Sequence, residues 1–249
     1  MEAWIYAIGS VLLVSAVSIV GVLLFPREKK GAEKFLIYMV SFAAGALFGD
    51  AFIHLLPEAA EMEVSGTSIG IYVLCGIVFS FIVEKFIRWR HCHVPTSHDH
   101  PHPVAMMNLL GDVFHNFIDG IIIAASYLVS IPLGIATTIA VLFHEIPQEI
   151  GDFGVLLHGG FTRAKAIMFN FLVALTAVAG AAITLVIGSA AEQAVPFLVP
   201  FAAGVFIYIA GSDLIPELHK DEANFSESAI HLLWFVLGIG VMLALLLLE

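Results

Sequence analysis

Basic residues are scarce: 249 residues hold ten Lys and Arg against 21 Asp and Glu, a formal net charge of −11. That balance argues against a nucleic-acid surface, which needs clustered cations to face phosphate. It suits a protein whose ligands are cations. Cysteine is nearly absent too. Cys75 falls in an apolar run and Cys92 in a polar one, so no disulfide framework organises the chain. There is no G-x-x-x-x-G-K-[ST] loop to cradle nucleotide phosphates. The opening M-E-A-W is acidic, unlike the basic start of a cleaved signal peptide.

Apolar residues fill the space: 60% of the chain is hydrophobic, 12% is charged, and the mean hydropathy is +0.99. Runs long enough to span a bilayer fall at about 3–25, 35–57, 68–88, 104–128, 132–158, 164–189, 195–217 and 229–248. The expected fold is a single all-α, polytopic membrane domain over 1–249, with eight transmembrane helices and little mass outside the lipid. Place the segment P-R-E-K-K-G-A-E-K at 26–34 in the cytoplasm and let the spans alternate. Every Lys and Arg then falls on that side, and Glu2, Glu58, Glu61, Glu63, Glu192 and Glu249 fall on the other. By the positive-inside rule both termini are expected outside.

Residues 43–58 read A-A-G-A-L-F-G-D-A-F-I-H-L-L-P-E and residues 202–217 read A-A-G-V-F-I-Y-I-A-G-S-D-L-I-P-E, identical at seven of sixteen positions. The first would run outward and the second inward, as an inverted-topology repeat requires. Spans 1–3 would mirror spans 6–8 around spans 4 and 5. The repeat sets His54 and Glu58 at the outer end of span 2, and Asp213 and Glu217 at the inner end of span 7. Each pair is spaced i, i+4 on one helix face. These groups are either interfacial side chains reaching water or cation stepping stones flanking a central site.

Span 4 carries G-D-V-F-H-N-F-I-D-G and span 5 carries H-E-I-P-Q-E-I-G-D-F. On a helix Asp112, His115, Asn116 and Asp119 share one stripe. His144 and Gln148 share another, beside Glu145, Glu149 and Asp152. Aligning the motifs pairs His115 with His144 and Asp119 with Gln148. Each carboxylate near the bilayer centre costs on the order of 2.5–3.5 kcal/mol on insertion scales. Neither span offers a Lys or Arg, so protonation or a bound, hydrated metal cation must offset the charge. Any one of these residues could serve as interhelical hydrogen-bonding glue; the set together points to metal. Imidazole with carboxylate suits Zn²⁺, Fe²⁺, Mn²⁺ or Cd²⁺. Pro147 removes the partner of the Phe143 carbonyl and is expected to kink the helix beside His144.

The pair H-N-F-I-D-G and H-E-I-P-Q-E resembles the ZIP (Zrt/Irt-like) family of divalent metal transporters, closest to the branch whose span 5 carries H-E-x-P-H-E. The likeness covers nearly the whole chain. It implies metal influx to the cytoplasm, a two-metal site between spans 4 and 5, a 3+2+3 arrangement, elevator-like alternating access and a homodimer. Carried over by motif, His115, Asp119, His144 and Gln148 form the primary site, and Asn116, Glu145 and Asn170 the adjoining one. Glu149 ligates or orients a ligand. The branch usually shows His where Gln148 stands; an amide oxygen is the weaker, harder ligand, which makes iron or manganese more plausible beside zinc. Metal is expected as the transported substrate, with no organic cofactor and no nucleic-acid partner.

Between spans 3 and 4 lies R-H-C-H-V-P-T-S-H-D-H-P-H-P (90–103), with five of the eleven histidines and three prolines. It reads as a labile cytoplasmic metal acceptor or sensor, or as a polar linker. The main rival function is an intramembrane zinc hydrolase by analogy with H-E-x-x-H, although Gln148 occupies the second histidine's place. A proton-coupled carrier of organic anions would need a basic group within a span, and none is there. The short ends favour a prokaryotic plasma membrane.

Overall fold

The computed structural model describes residues 2–17, 32–62, 64–91, 103–188, 193–220 and 224–246. Most of the histidine-rich segment (92–102) and the 18–31 connection, with Arg27, Lys29 and Lys30, lie outside them. Among the described residues the chain is helical and has no strand. The apolar runs become α1 (Glu2–Val17), α2 (Ala32–Gly49), α3 (Leu56–Glu61), α4 (Gly66–His91), α5 (Pro103–Val129) and α6 (Ile131–His158). After these come α7 (Arg163–Ala174), α8 (Thr176–Ile187), α9 (Val195–Tyr208), α10 (Ile215–Lys220) and α11 (Phe225–Leu245). Their starts follow local chemistry. Ser130 caps α6 and Thr162 caps α7, while Asn224 and Glu227 form a capping box on α11.

Six helical stretches among the described residues are long and apolar enough to cross a bilayer: 35–61, 66–86, 103–129, 163–187, 195–219 and 226–245. The described part of α1 is shorter. Helix α6 is 28 residues long but carries Glu145, Glu149 and Asp152 in its apolar run. Outer faces such as Ile71, Leu74, Val78 and Ile82 of α4 expose bulky apolar side chains, as a lipid-facing surface requires.

Helix α6 stays helical through Pro147. The ladder changes its spacing before Pro57 and Pro216. There π-helical turns at Asp50–Leu55 and Ile209–Leu214 join α2 to α3 and α9 to α10. Both turns sit at the same register of the 43–58 and 202–217 segments.

The helices gather in two groups. Helices α1, α5, α6, α7 and α8 pack on one another. In the second group α2 packs on α11 and α9 on α4, α2 and α9 meet mainly through their π-turns, and α2 and α9 also pack on α6 and α5. Within the second group α2 crosses α11 where Gly45 faces the Phe235 carbonyl and Gly238 faces that of Phe42. Helix α9 crosses α4 in the same way, Gly204 against the Val73 carbonyl and Gly76 against that of Phe201. A side chain at any of the four would strike backbone, so glycine sets how closely the helices approach.

Candidate metal centre

Helices α5 and α6 form an antiparallel hairpin with only Ser130 between them. The Ser130 hydroxyl accepts from the Leu133 amide at 3.3 Å, and Tyr127 packs over Gly134 to close the turn. Because the turn is a single residue, positions equidistant from Ser130 come level. His115 therefore stands beside Glu145, Asp112 beside Gln148, and Asn108 beside Asp152. Aligning the two motifs in the same direction misses this, since the helices run oppositely.

The structure brings His115, Asp119, His144 and Glu145 together, one ligand atom from each lying within 4.8 Å of all the others. His115 Nε2 is 3.4 Å from Asp119 Oδ2 and 3.2 Å from Glu145 Oε1, and His144 Nε2 is 3.4 Å from Asp119 Oδ2. His115 Nε2 and Glu145 Oε1 are buried with no aligned hydrogen-bond partner. Zinc–ligand bonds of about 2.0–2.2 Å place neighbouring ligand atoms roughly 3.3 Å apart in a tetrahedron, so the ring is of the right size and donor type for such an ion.

Above the ring opens a cavity of about 400 Å³, running from Glu61 and Glu58 past His54 and Asp50 to His115, Asp119 and His144. The His54 ring lies 6.4 Å from that of His144, and its Nε2 donates to the Met242 carbonyl at 3.0 Å. Asp50 is a site residue the sequence reading missed: it is buried in the first π-turn, with Oδ2 3.9 Å from His115 Nδ1. Its signal was available, a carboxylate four residues before His54 in an apolar run.

The remaining candidates are placed as follows. Asn170, on α7, donates to Glu149 Oε2 at 2.5 Å and so draws Glu149 towards that helix. Asn116 donates to Asp112 Oδ1 at 2.7 Å. Glu149 Oε1, Asn116 Oδ1 and Asn170 Oδ1 remain buried acceptors without a hydrogen-bond donor. Gln148 is buried at the level of Asp112 and lines a separate crevice beneath the ring. Asp213 is buried in the second π-turn and lines neither the cavity nor that crevice. Near it in the chain, Glu217 pairs with His158 at 3.1 Å.

A family model described as ZIP zinc transporter matches residues 1–105 and 96–246. The chain is 29% identical over 319 residues to the zinc transporter zipt-7.1 of Caenorhabditis briggsae, an alignment covering all of this chain and 80% of that protein. It is 30% identical over 339 residues to the zinc transporter SLC39A7 of Mus musculus, covering 99% of this chain and 70% of the relative. With the zinc transporter ZIP13 of Pongo abelii the identity is 32% over 264 residues, covering 97% and 78%.

Proposed function

The chain belongs to the ZIP zinc transporter family and transports divalent metal rather than catalysing a reaction, and we propose that the ring of His115, Asp119, His144 and Glu145 is where the cation is held in transit. The observation that carries this is the ring itself: two imidazoles and two carboxylates converge at the buried end of an acid-lined cavity, on two helices with no Lys or Arg. A dehydrating cation can bind there because the ring replaces its water with nitrogen and oxygen donors. Zn²⁺ is the substrate favoured by this donor set and by the relatives' names. Gln148 in a histidine's place leaves Fe²⁺, Mn²⁺ and Cd²⁺ as further substrates.

A second ion would be held beside the first by Asn116, Glu145, Glu149 and Asn170. The donorless acceptors Asn116 Oδ1, Glu149 Oε1 and Asn170 Oδ1 support that reading. Influx by elevator-like access through an inverted 3+2+3 arrangement draws support from several features. The π-turns match in register, and the crossing of α2 with α11 mirrors that of α9 with α4. The helices fall into two groups, with the ring carried on one and Asp50 on the other. Extracytoplasmic termini follow from the charge partition. The three relatives are animal proteins and lend the prokaryotic expectation no support. Homodimer formation and a metal-accepting role for the 90–103 histidines are further proposals, tested by mass in detergent and by deleting 91–102. The hydrolase reading is the weaker one, because Glu145 stands in the ligand ring rather than behind it.

The test is uptake of labelled Zn²⁺ or Cd²⁺ into metal-free liposomes without ATP. His115→Ala and His144→Ala should each cut uptake at least tenfold at equal protein levels. Wild-type uptake by either variant would remove the ring from the pathway.

A further inference from the structure

Beneath the ring, on the side away from the outer cavity, lies a narrow crevice lined by Asn108, Asp112, Gln148 and Asp152. Leu47, Phe206 and Ile209 cover it from the other helix group. Its polar atoms are unbalanced. Asp112 Oδ2 and Gln148 Oε1 have no hydrogen-bond partner, and their residues are only 6% and 5% exposed. The nearby amide donors are committed elsewhere: Asn116 to Asp112 Oδ1 at 2.7 Å and to the Asp112 carbonyl at 3.2 Å, Asn108 to Asp152 Oδ1 at 2.8 Å. The crevice is thus lined by two carboxylates and by an amide whose Oε1 has no partner, on helices without a cation of their own.

We propose that Asp112, Gln148 and Asp152 form an inner station that receives the divalent cation after it leaves the four-residue ring. This rests on the transport reading above and adds a site to it. The space fits a dehydrated ion better than a water molecule. No water-sized sphere fits the crevice, whereas metal–oxygen bonds of about 2.0–2.2 Å are shorter than hydrogen bonds of about 2.8 Å. The level pairing of the hairpin sets the two stations one layer apart on the same pair of helices, so an ion passes between them without crossing lipid. The inner set is oxygen-only. Lacking imidazole, it holds a borderline ion such as Zn²⁺ less tightly than the ring does, and conduction needs a site weak enough to leave. In this structure the apolar cover closes the station while the ring opens outward, as the loading half of alternating access requires.

The experiment uses the full chain with Cys75→Ser and Cys92→Ser, purified and in liposomes, with Cd²⁺ as probe. Asp112→Asn with Asp152→Asn keeps side-chain volume and leaves each Oδ1 able to accept from Asn116 or Asn108. It should slow Cd²⁺ uptake at least tenfold while Cd²⁺ affinity at the ring, titrated in detergent, stays within twofold. Separately, Asp152→Cys should give a Cd²⁺–thiolate ultraviolet band on adding metal, which a purely structural aspartate position would not. Uptake at the wild-type rate, weakened ring affinity in the double Asn variant, or no thiolate band while the ring still binds Cd²⁺ would each overturn the inner station. None of the three removes the ring's own role. Wild-type uptake by His115→Ala would strike the ring instead.

Discussion

At the scale of single residues, the metal centre is a matter of which donor faces which cavity. His115 is buried at the cavity floor, its ring 5.3 Å from that of His144 and 5.1 Å from Phe206, so packing holds it in place before any ion arrives. Gln148 is one layer deeper, where an amide oxygen gives weak, hard ligation. Gln148→His should therefore tighten Zn²⁺ binding and shift competition among Zn²⁺, Fe²⁺ and Mn²⁺ towards zinc, by roughly tenfold or more in affinity if the imidazole reaches the ion. It should also slow release, so turnover falls as affinity rises. A competition series against one labelled ion in liposomes measures both; unchanged selectivity would show that position 148 does not touch the cargo. The identity of the polar stripe was legible in the sequence, because costly groups on adjacent helical faces have few uses in lipid. The membership of the ring was less so. Motif likeness pairs histidine with histidine, whereas the reversed direction of α6 pairs His115 with Glu145.

At the scale of elements, glycine and proline carry the construction. Gly120 of α5 faces the Ala177 carbonyl of α8, and Gly180 of α8 faces the Phe117 carbonyl of α5. The two helices thus meet backbone to backbone behind the metal centre. Gly120→Ala should push them apart and lower the thermal midpoint in detergent, at a cost of about 1–3 kcal/mol. The same change at Gly9, whose added Cβ would meet nothing within 4 Å, should leave the midpoint within a degree or two. If both behave alike, the α5–α8 crossing is looser than described. The π-turns were not legible as such. Pro57, Pro216 and Pro147 look alike in sequence, yet a π-helical turn precedes only the first two. The turn at Asp50–Leu55 also places Asp50 towards His115 and His54 towards the outer cavity, and a regular helical wheel would misplace whatever follows the extra residue.

At the scale of the whole molecule, the ring joins an open cavity on one side and a covered crevice on the other. With the native cysteines replaced by serine, a single cysteine at Glu58 should react with a membrane-impermeant maleimide added outside. One at Leu47, under the apolar cover, should not react. Bound metal should slow the reaction at 58 but not abolish it, since that residue stands well above the ring. Rapid labelling at 47, or labelling at 58 only from the cytoplasmic side, would contradict the outward-open arrangement.

The sequence by itself determined that the chain is a set of apolar helices and that α5 and α6 carry its stripe of potential metal ligands. Hydrophobic length and helical periodicity are local properties, and the cost of charge in lipid allows few ways to satisfy such a stripe. Only the tertiary structure decided which donors converge, that Asp50 reaches in from the second helix group, and that Asp112, Gln148 and Asp152 line a crevice of their own. Those outcomes depend on helix direction, on the one-residue turn at Ser130 and on an altered hydrogen-bond ladder before Pro57. They concern how helices pack on one another, and a pattern read along one helix carries no information about its neighbour.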